Sequence, residues 1–289
     1  MRLQQIYYAS SRKYTELLIA TIAAFFALAL LAALDTNALA KTLPLASPET
    51  KTLSVVSAAS FRSNDIASES IVAAFGSGLA TATQASDTWP LPETLAGTTV
   101  RLRDAQGREQ YAPLFFVAPG QVNFFVPPNL PLGETLVTIT AGDGAQSAGA
   151  LVVVDYSPGL FAMNGNGAGV AAASVLRVRG SAYYFEIMTR FDVEANQWVT
   201  LPIEFGPSAD RVFLALYGTG IRGRVSLSDV AVTVAGVNVP VSYAGAQGAM
   251  FGVDQVNVEI PRELAGRGEV EVVLTINGKE SNTVKVSLK

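Results

Sequence analysis

Tyr183, Tyr184, Phe185, Phe191 and Trp198 fall in one short run, SAYYFEIMTRFDVEANQWVTLPIEF. Flat aromatic rings on a sheet can stack on sugars or anchor a protein partner. Asp192 and Glu194 interleave with them, and Glu204, Asp254 and Glu259 follow. Two carboxylates about 5–10 Å apart would be the equipment of glycoside hydrolysis. The chain has 24 acidic residues, so some pair must fall close by chance, and no catalytic residue is assigned. The candidate binding residues are Tyr183, Tyr184, Phe191 and Trp198. Strand alternation would send Tyr183, Phe185 and Ile187 to one face and Tyr184, Glu186 and Met188 to the other. One of those faces is expected to be core.

Other chemistries are excluded by composition. The chain has no histidine and no cysteine, so neither a Ser-His-Asp nor a Cys-His arrangement can be built. Zinc sites normally use the same two residue types. A Ser-x-x-Lys string occurs at Ser10 to Lys13, inside the N-terminal segment. Gly76-Ser77-Gly78 and Gly218-Thr219-Gly220 could suggest a phosphate loop, but that loop must open a helix. Here strand and turn follow, and the glycines are read as a bulge or a close backbone approach. Calcium needs about six to eight oxygen ligands at one point. Asn64-Asp65 and Asp143 lie in no such dense run and read as solvated turns. No metal and no cofactor is expected.

The elements that must position these residues come from a duplication. IVAAFGSGL at 71–79 is matched by VFLALYGTGI at 212–221, and Gln121-Val122-Asn123 with Pro127 by Gln255-Val256-Asn257 with Pro261. A repeat of about 135–140 residues is a whole small domain, not a solenoid unit. Val256, Val258 and Ile260 alternate with Gln255, Asn257 and Glu259, and Val122, Phe124 and Val126 do the same in the first copy, although Phe125 breaks the polar face. Gln121/Asn123 and Gln255/Asn257 read as fold-forming amides that bond neighbouring turn backbone. Asn277-Gly278 and Ala235-Gly236 mark turns between alternating runs. Ser60 and Ile71 are 11 residues apart, whereas Ser174 and Val212 are 38 apart, so the second copy carries 27 more residues. They are read as an inserted hairpin at about 181–205 with its turn near Glu194-Ala195-Asn196.

The resulting organisation is a leader at 1–40, a linker at 41–52, a first sandwich at 53–156, a linker at 157–169 and a second sandwich at 170–289. Arg2, Arg12 and Lys13 precede an uncharged apolar run from Leu17 to Leu34, and Ala38-Leu39-Ala40 follows. That is the pattern of a secretory signal peptide. At 18 residues the run is also just able to span a bilayer, so a retained membrane anchor is the alternative. Either way the remainder is expected outside the cytoplasm, secreted or in the cell envelope. Net charge is −4, and without residues 1–40 it is −5, from 17 basic and 22 acidic side chains. A nucleic-acid binder carries a basic footprint, which is missing.

FGSGL and YGTGI, LPETLAGTTV, APLFFVAPGQVNFFVPP and YSPGLF resemble a C-terminal domain found in many secreted acidobacterial proteins. That domain looks like the IPT/TIG branch of immunoglobulin-like sandwiches. The resemblance covers most of residues 53–289 and fits the first copy better, since Asp254 stands where the first copy has Gly120. It implies an all-β fold of two tandem immunoglobulin-like sandwiches after an N-terminal apolar helix. The family has no established activity, so no functional residue is carried over. The expected role is a non-enzymatic exported interaction or structural module with a protein or glycan partner. The alternative is a carbohydrate-binding or carbohydrate-cleaving protein.

Overall fold

A computed structural model describes residues 51–63 and 65–289 of the chain. The leader, the apolar run Leu17–Leu34, the Ser10–Lys13 string and residues 41–50 of the first linker lie outside the described residues. Among the described residues the fold is all-β. Its helical pieces are two three-residue 3-10 turns, Leu227–Asp229 and Arg262–Leu264. None of its helices is long and apolar enough to cross a membrane.

In the first half, one sheet runs Lys51–Thr52, Gln146–Val154, Gly133–Thr140, Thr98–Asp104, Thr94–Leu95. A second runs Ser54–Ser57, Ile71–Phe75, Gln121–Phe125, Leu114–Ala118, Gln84–Ala85. Alternation places one face of each strand inward, and the inward residues of both sheets form a single apolar core. Val100, Leu102, Val137, Ile139 and Leu151 come from the first sheet, and Val72, Ala74, Leu114, Val122 and Phe124 from the second. That is a two-layer sandwich. The first strand begins at Lys51 and pairs in parallel with Ser147–Ala148, so the last two residues of the expected linker belong to the sheet.

The second half repeats this plan. One sheet runs Ala182–Glu186, Ala173–Arg179, Arg211–Thr219, Asp254–Ile260, Val241–Ala246. The facing sheet runs Pro202–Ile203, Val284–Leu288, Gly268–Ile276, Val230–Val234, Val237–Val239. Leu214, Leu216, Val256 and Val258 meet Val232, Leu274, Ile276 and Val286 in a separate core. The segment 157–169 is not a free linker: Gly159–Leu160 pairs with Gly218–Thr219, and Leu160 is fully buried in this core. Turns form where left-handed backbone was expected. Asn277 and Gly278 have φ of 45° and 81° and Ala235 and Gly236 of 54° and 75°, closing two-residue hairpins.

The described residues form one compact unit, because the two cores are joined by specific contacts. The N–H of Ile71 donates to Thr219 Oγ1 at 3.0 Å, and that hydroxyl donates to the Gly252 carbonyl at 2.7 Å. Arg62 donates to the carbonyls of Glu280 and Ser281, Lys279 pairs with Asp65 at 3.0 Å, and Arg222 with Glu69 at 3.4 Å. The paired glycines serve close approach. A Cβ on Gly218 would lie 2.2 Å from the Gly159 carbonyl oxygen, and one on Gly220 would lie 2.3 Å from that of Ser157.

This joined arrangement corrects one expectation. Asn123, Gln255 and Asn257, read as lying on the polar faces of their strands, are at most 5% exposed. Phe125, which broke the polar pattern, is 3% exposed, because Phe251 from the other half covers it with ring centroids 4.1 Å apart. The buried amides do not bond to turn backbone. One amide bond joins each pair instead: Gln121 Nε2 donates to Asn123 Oδ1 at 2.9 Å, and Gln255 Nε2 to Asn257 Oδ1 at 2.7 Å.

Candidate interaction surface

The inserted segment is two structures rather than one hairpin. Ala182–Glu186 turns back on Ala173–Arg179 and forms the outer edge of its sheet, with Tyr183 opposite Val178 and Tyr184 opposite Arg177. Thr189–Asp192 then pairs with Gln197–Thr200 as a separate hairpin, with Phe191 opposite Trp198 and the turn at 193–196 as expected.

Arginine chemistry fixes the first piece. Arg177 is 6% exposed. Its guanidinium meets Glu186 through Nε and through a second bond of 2.9 Å, donates to the Glu204 carbonyl, and lies 3.5 Å from Asp210. Arg179 grips Asp210 with two parallel bonds of 2.8 and 2.7 Å, the fork geometry that suits a carboxylate. Arg179 above all, then Arg177, holds the Asp210 carboxyl below the usual carboxylate range. Arg262 ties the same loop by donating to the carbonyls of Phe205 at 3.0 Å and Gly206 at 2.9 Å. Gly206 is required there: its φ is +64°, and a Cβ would lie 2.7 Å from Asp210 Oδ2.

The second piece is anchored from below. Met188, Ile203 and Phe205 are buried in the core of the second half. The Trp198 N–H donates to Asn164 Oδ1 at 2.9 Å, and the Phe191 and Trp198 rings meet at 5.6 Å and 73°. Asp192 caps the turn, accepting the Ala195 N–H at 3.1 Å, and this bond lowers its pKa.

The four candidate aromatics therefore divide. Phe191 and Trp198 are half-buried against each other. Tyr183 and Tyr184 are 41% and 46% exposed, and in the same segment Ile187 and Val193 are 67% and 82% exposed. Neither face of this strand is core, contrary to expectation: within Ala182–Glu186 every residue is partly or fully exposed, because the strand lies at the sheet edge and little packs over it. Met188 alone turns fully inward, after the strand has ended. The Arg179 guanidinium lies over the Tyr184 ring at 5.8 Å from its centroid, a cation–π contact that orients the ring without burying it.

The candidate carboxylates are dispersed. Glu204 pairs with Lys289 at 2.8 Å and Glu259 with Arg211 at 2.6 Å, each pairing lowering the carboxyl pKa. Asp254 is fully buried and accepts from Ile221 N–H, Arg222 N–H and Arg222 Nε. Burial pushes its carboxyl up against the pull of those donors. Glu194 stands in the exposed turn. A shallow groove of about 540 Å³ in the first half is bordered by Arg103, Asp104, Glu134 and Leu136. Its Asp104 is committed to Arg108 and the N–H groups of Gln106 and Arg108.

A second aromatic group escaped the sequence. Trp89, 64% exposed, meets Phe251 edge to face at 5.0 Å and 85°. The two residues are 162 positions apart, and no local pattern links them.

No family model matches the chain. No curated protein matches it. Among solved structures, bovine butyrophilin is matched at 11% identity over 82% of this chain and 99% of that one, with a TM-score of 0.22. That likeness is too slight to carry an argument about fold subclass or function.

Proposed function

We propose that this protein is a non-enzymatic, exported interaction module that binds a protein partner through the inserted segment of its second half. Four large apolar side chains, Tyr183, Tyr184, Ile187 and Val193, are solvent-exposed within this one segment, and that observation carries the reading. Arg177 holds the edge strand through Glu186, and Arg179 ties the strand paired with it to Asp210. Tyrosine and arginine are the side chains enriched at binding hot spots. Pre-ordering them lowers the entropy lost on binding.

In this reading the scaffold is two tandem immunoglobulin-like sandwiches of the IPT/TIG type. The duplicated sequence and the two separate cores support it. The leader directs export, and the mature chain begins at Lys41 or stays anchored through Leu17–Leu34. N-terminal sequencing of exported material separates those two outcomes.

The binding claim is tested with the purified chain as bait against envelope proteins. Capture should require both tyrosines: Tyr184→Ala and Tyr183→Ala should each weaken it at least tenfold, with the thermal transition unmoved. Capture that survives the double variant would refute the assignment. So would a partner held equally well by a chain lacking residues 187–200 that still folds.

A further inference from the structure

The Trp89–Phe251 pair is built differently from the inserted segment and stands independently of the protein-binding reading. The indole belongs to a loop of the first half, but the ring that seats it comes from the second. Phe251 in turn rests on Phe125 at 4.1 Å, and Phe125 is 3% exposed. The seat has little slack. Gly252 has φ +69°, and a Cβ there would lie 2.6 Å from Ile71 Cγ1 and 3.2 Å from Phe125 Cδ2. Its carbonyl is held by Thr219 Oγ1 at 2.7 Å, and Gln247 Oε1 accepts the N–H groups of Ala249 and Met250. Trp89, 64% exposed, thus keeps ring surface open to solvent on a support that is ordered before anything binds.

The chemistry around the pair narrows the ligand. From Ser63 to Val100 the sequence contains no lysine or arginine, and residues 245–253 contain no charged side chain. The loop that carries Trp89 instead presents Thr83, Gln84, Asp87 and Thr88, all exposed. Neither stretch supplies a cation of its own to a phosphate, sulfate or uronate, and Arg222, which donates to the Val253 carbonyl, is already paired with Asp254 and Glu69. A pair of rings, one of them on a loop with exposed hydroxyl, amide and carboxylate side chains, also differs from a continuous apolar patch of the kind that docks a peptide or lipid. They match a ligand with a C–H face to lie on the electron-rich ring and many hydroxyls to donate to carboxylate and amide oxygens. We propose that Trp89 and Phe251 form a stacking platform for a neutral pyranose unit of a glycan.

The test is calorimetric titration of the full chain with four uncharged oligosaccharides, cellohexaose, xylohexaose, laminarihexaose and chitohexaose, and with polygalacturonate. Saturable binding of at least one neutral sugar is expected. It should fall at least tenfold in Trp89→Ala, at least threefold in Phe251→Leu, and recover substantially in Trp89→Phe. Because Trp89 is mostly exposed, its substitution should leave the thermal transition in place, which separates lost binding from lost folding. The proposal is overturned by no saturable response to any neutral sugar, by binding indifferent to Trp89→Ala, or by a preference for polygalacturonate.

Discussion

Thr219 accepts the backbone N–H of Ile71 at 3.0 Å across 148 positions of sequence. The same hydroxyl donates to Gly252, so one side chain satisfies a buried donor and a buried acceptor. Thr219→Val keeps the volume and removes both bonds. Each stranded group costs about 1–3 kcal/mol, so a loss of at least about 2 kcal/mol is expected in urea denaturation, and Thr219→Ser should restore most of it. A valine variant as stable as the parent would show that water substitutes for the hydroxyl.

The four inserted aromatics should separate by stability. Tyr183→Ala and Tyr184→Ala remove exposed rings and should change stability by no more than about 0.5 kcal/mol. Phe191→Ala or Trp198→Ala breaks a half-buried pair, and a loss of about 1–3 kcal/mol is expected. Equal effects for all four in chemical denaturation would mean that exposure does not distinguish them.

Arg177 is the keystone of the edge strand. Arg177→Met leaves Glu186 and the Glu204 carbonyl without their cation while retaining the aliphatic stem. Glu186 is partly exposed and Asp210 keeps Arg179, so a loss of about 1–3 kcal/mol is expected. Limited proteolysis should then cut first within residues 181–200, ahead of either core. Unchanged cleavage sites would place the weak point elsewhere.

Acid should release the same region. The Asp210 carboxyl is held low by Arg179 and Arg177, so the native form binds its proton later than the unfolded chain does. The resulting stabilisation is fully present above the ordinary aspartate value of about 3.9 and fades as pH falls through the lower native value. Trp198 emission, followed from pH 6 downward in a Trp89→Phe background, should report loosening in that acid range. In Asp210→Asn that part of the pH dependence should vanish, and a parallel titration of both proteins decides it.

Much of the architecture was legible in local sequence. Asn277-Gly278 announced a hairpin because positive φ is a property of those two residues. The alternation of Val256, Val258 and Ile260 announced one buried face, and all three are buried. The opposite face could not be read the same way. Gln255 and Asn257 alternate as a polar face, yet both are interior. The edge strand misled for the converse reason: Tyr183 and Tyr184 are apolar enough to be core, but nothing packs over them fully. Arg177 carried a usable signal, since a charge between Leu176 and Val178 inside a strand calls for a partner, though not for Asp210 in particular. Trp89 and Phe251 carried none, because their meeting depends on how the two cores join.

That joint has a mechanical corollary. With Ile71, Gly252 and the Thr219 oxygen interlocked, the platform at Trp89 and the edge at Tyr184 are borne on bodies held against independent rotation. A long or repetitive partner touching both would meet them at one unvarying spacing, so its second attachment depends on that distance instead of on the reach of a tether. Loosening the joint would blur the spacing and weaken multivalent capture, while each single contact stayed as strong as before.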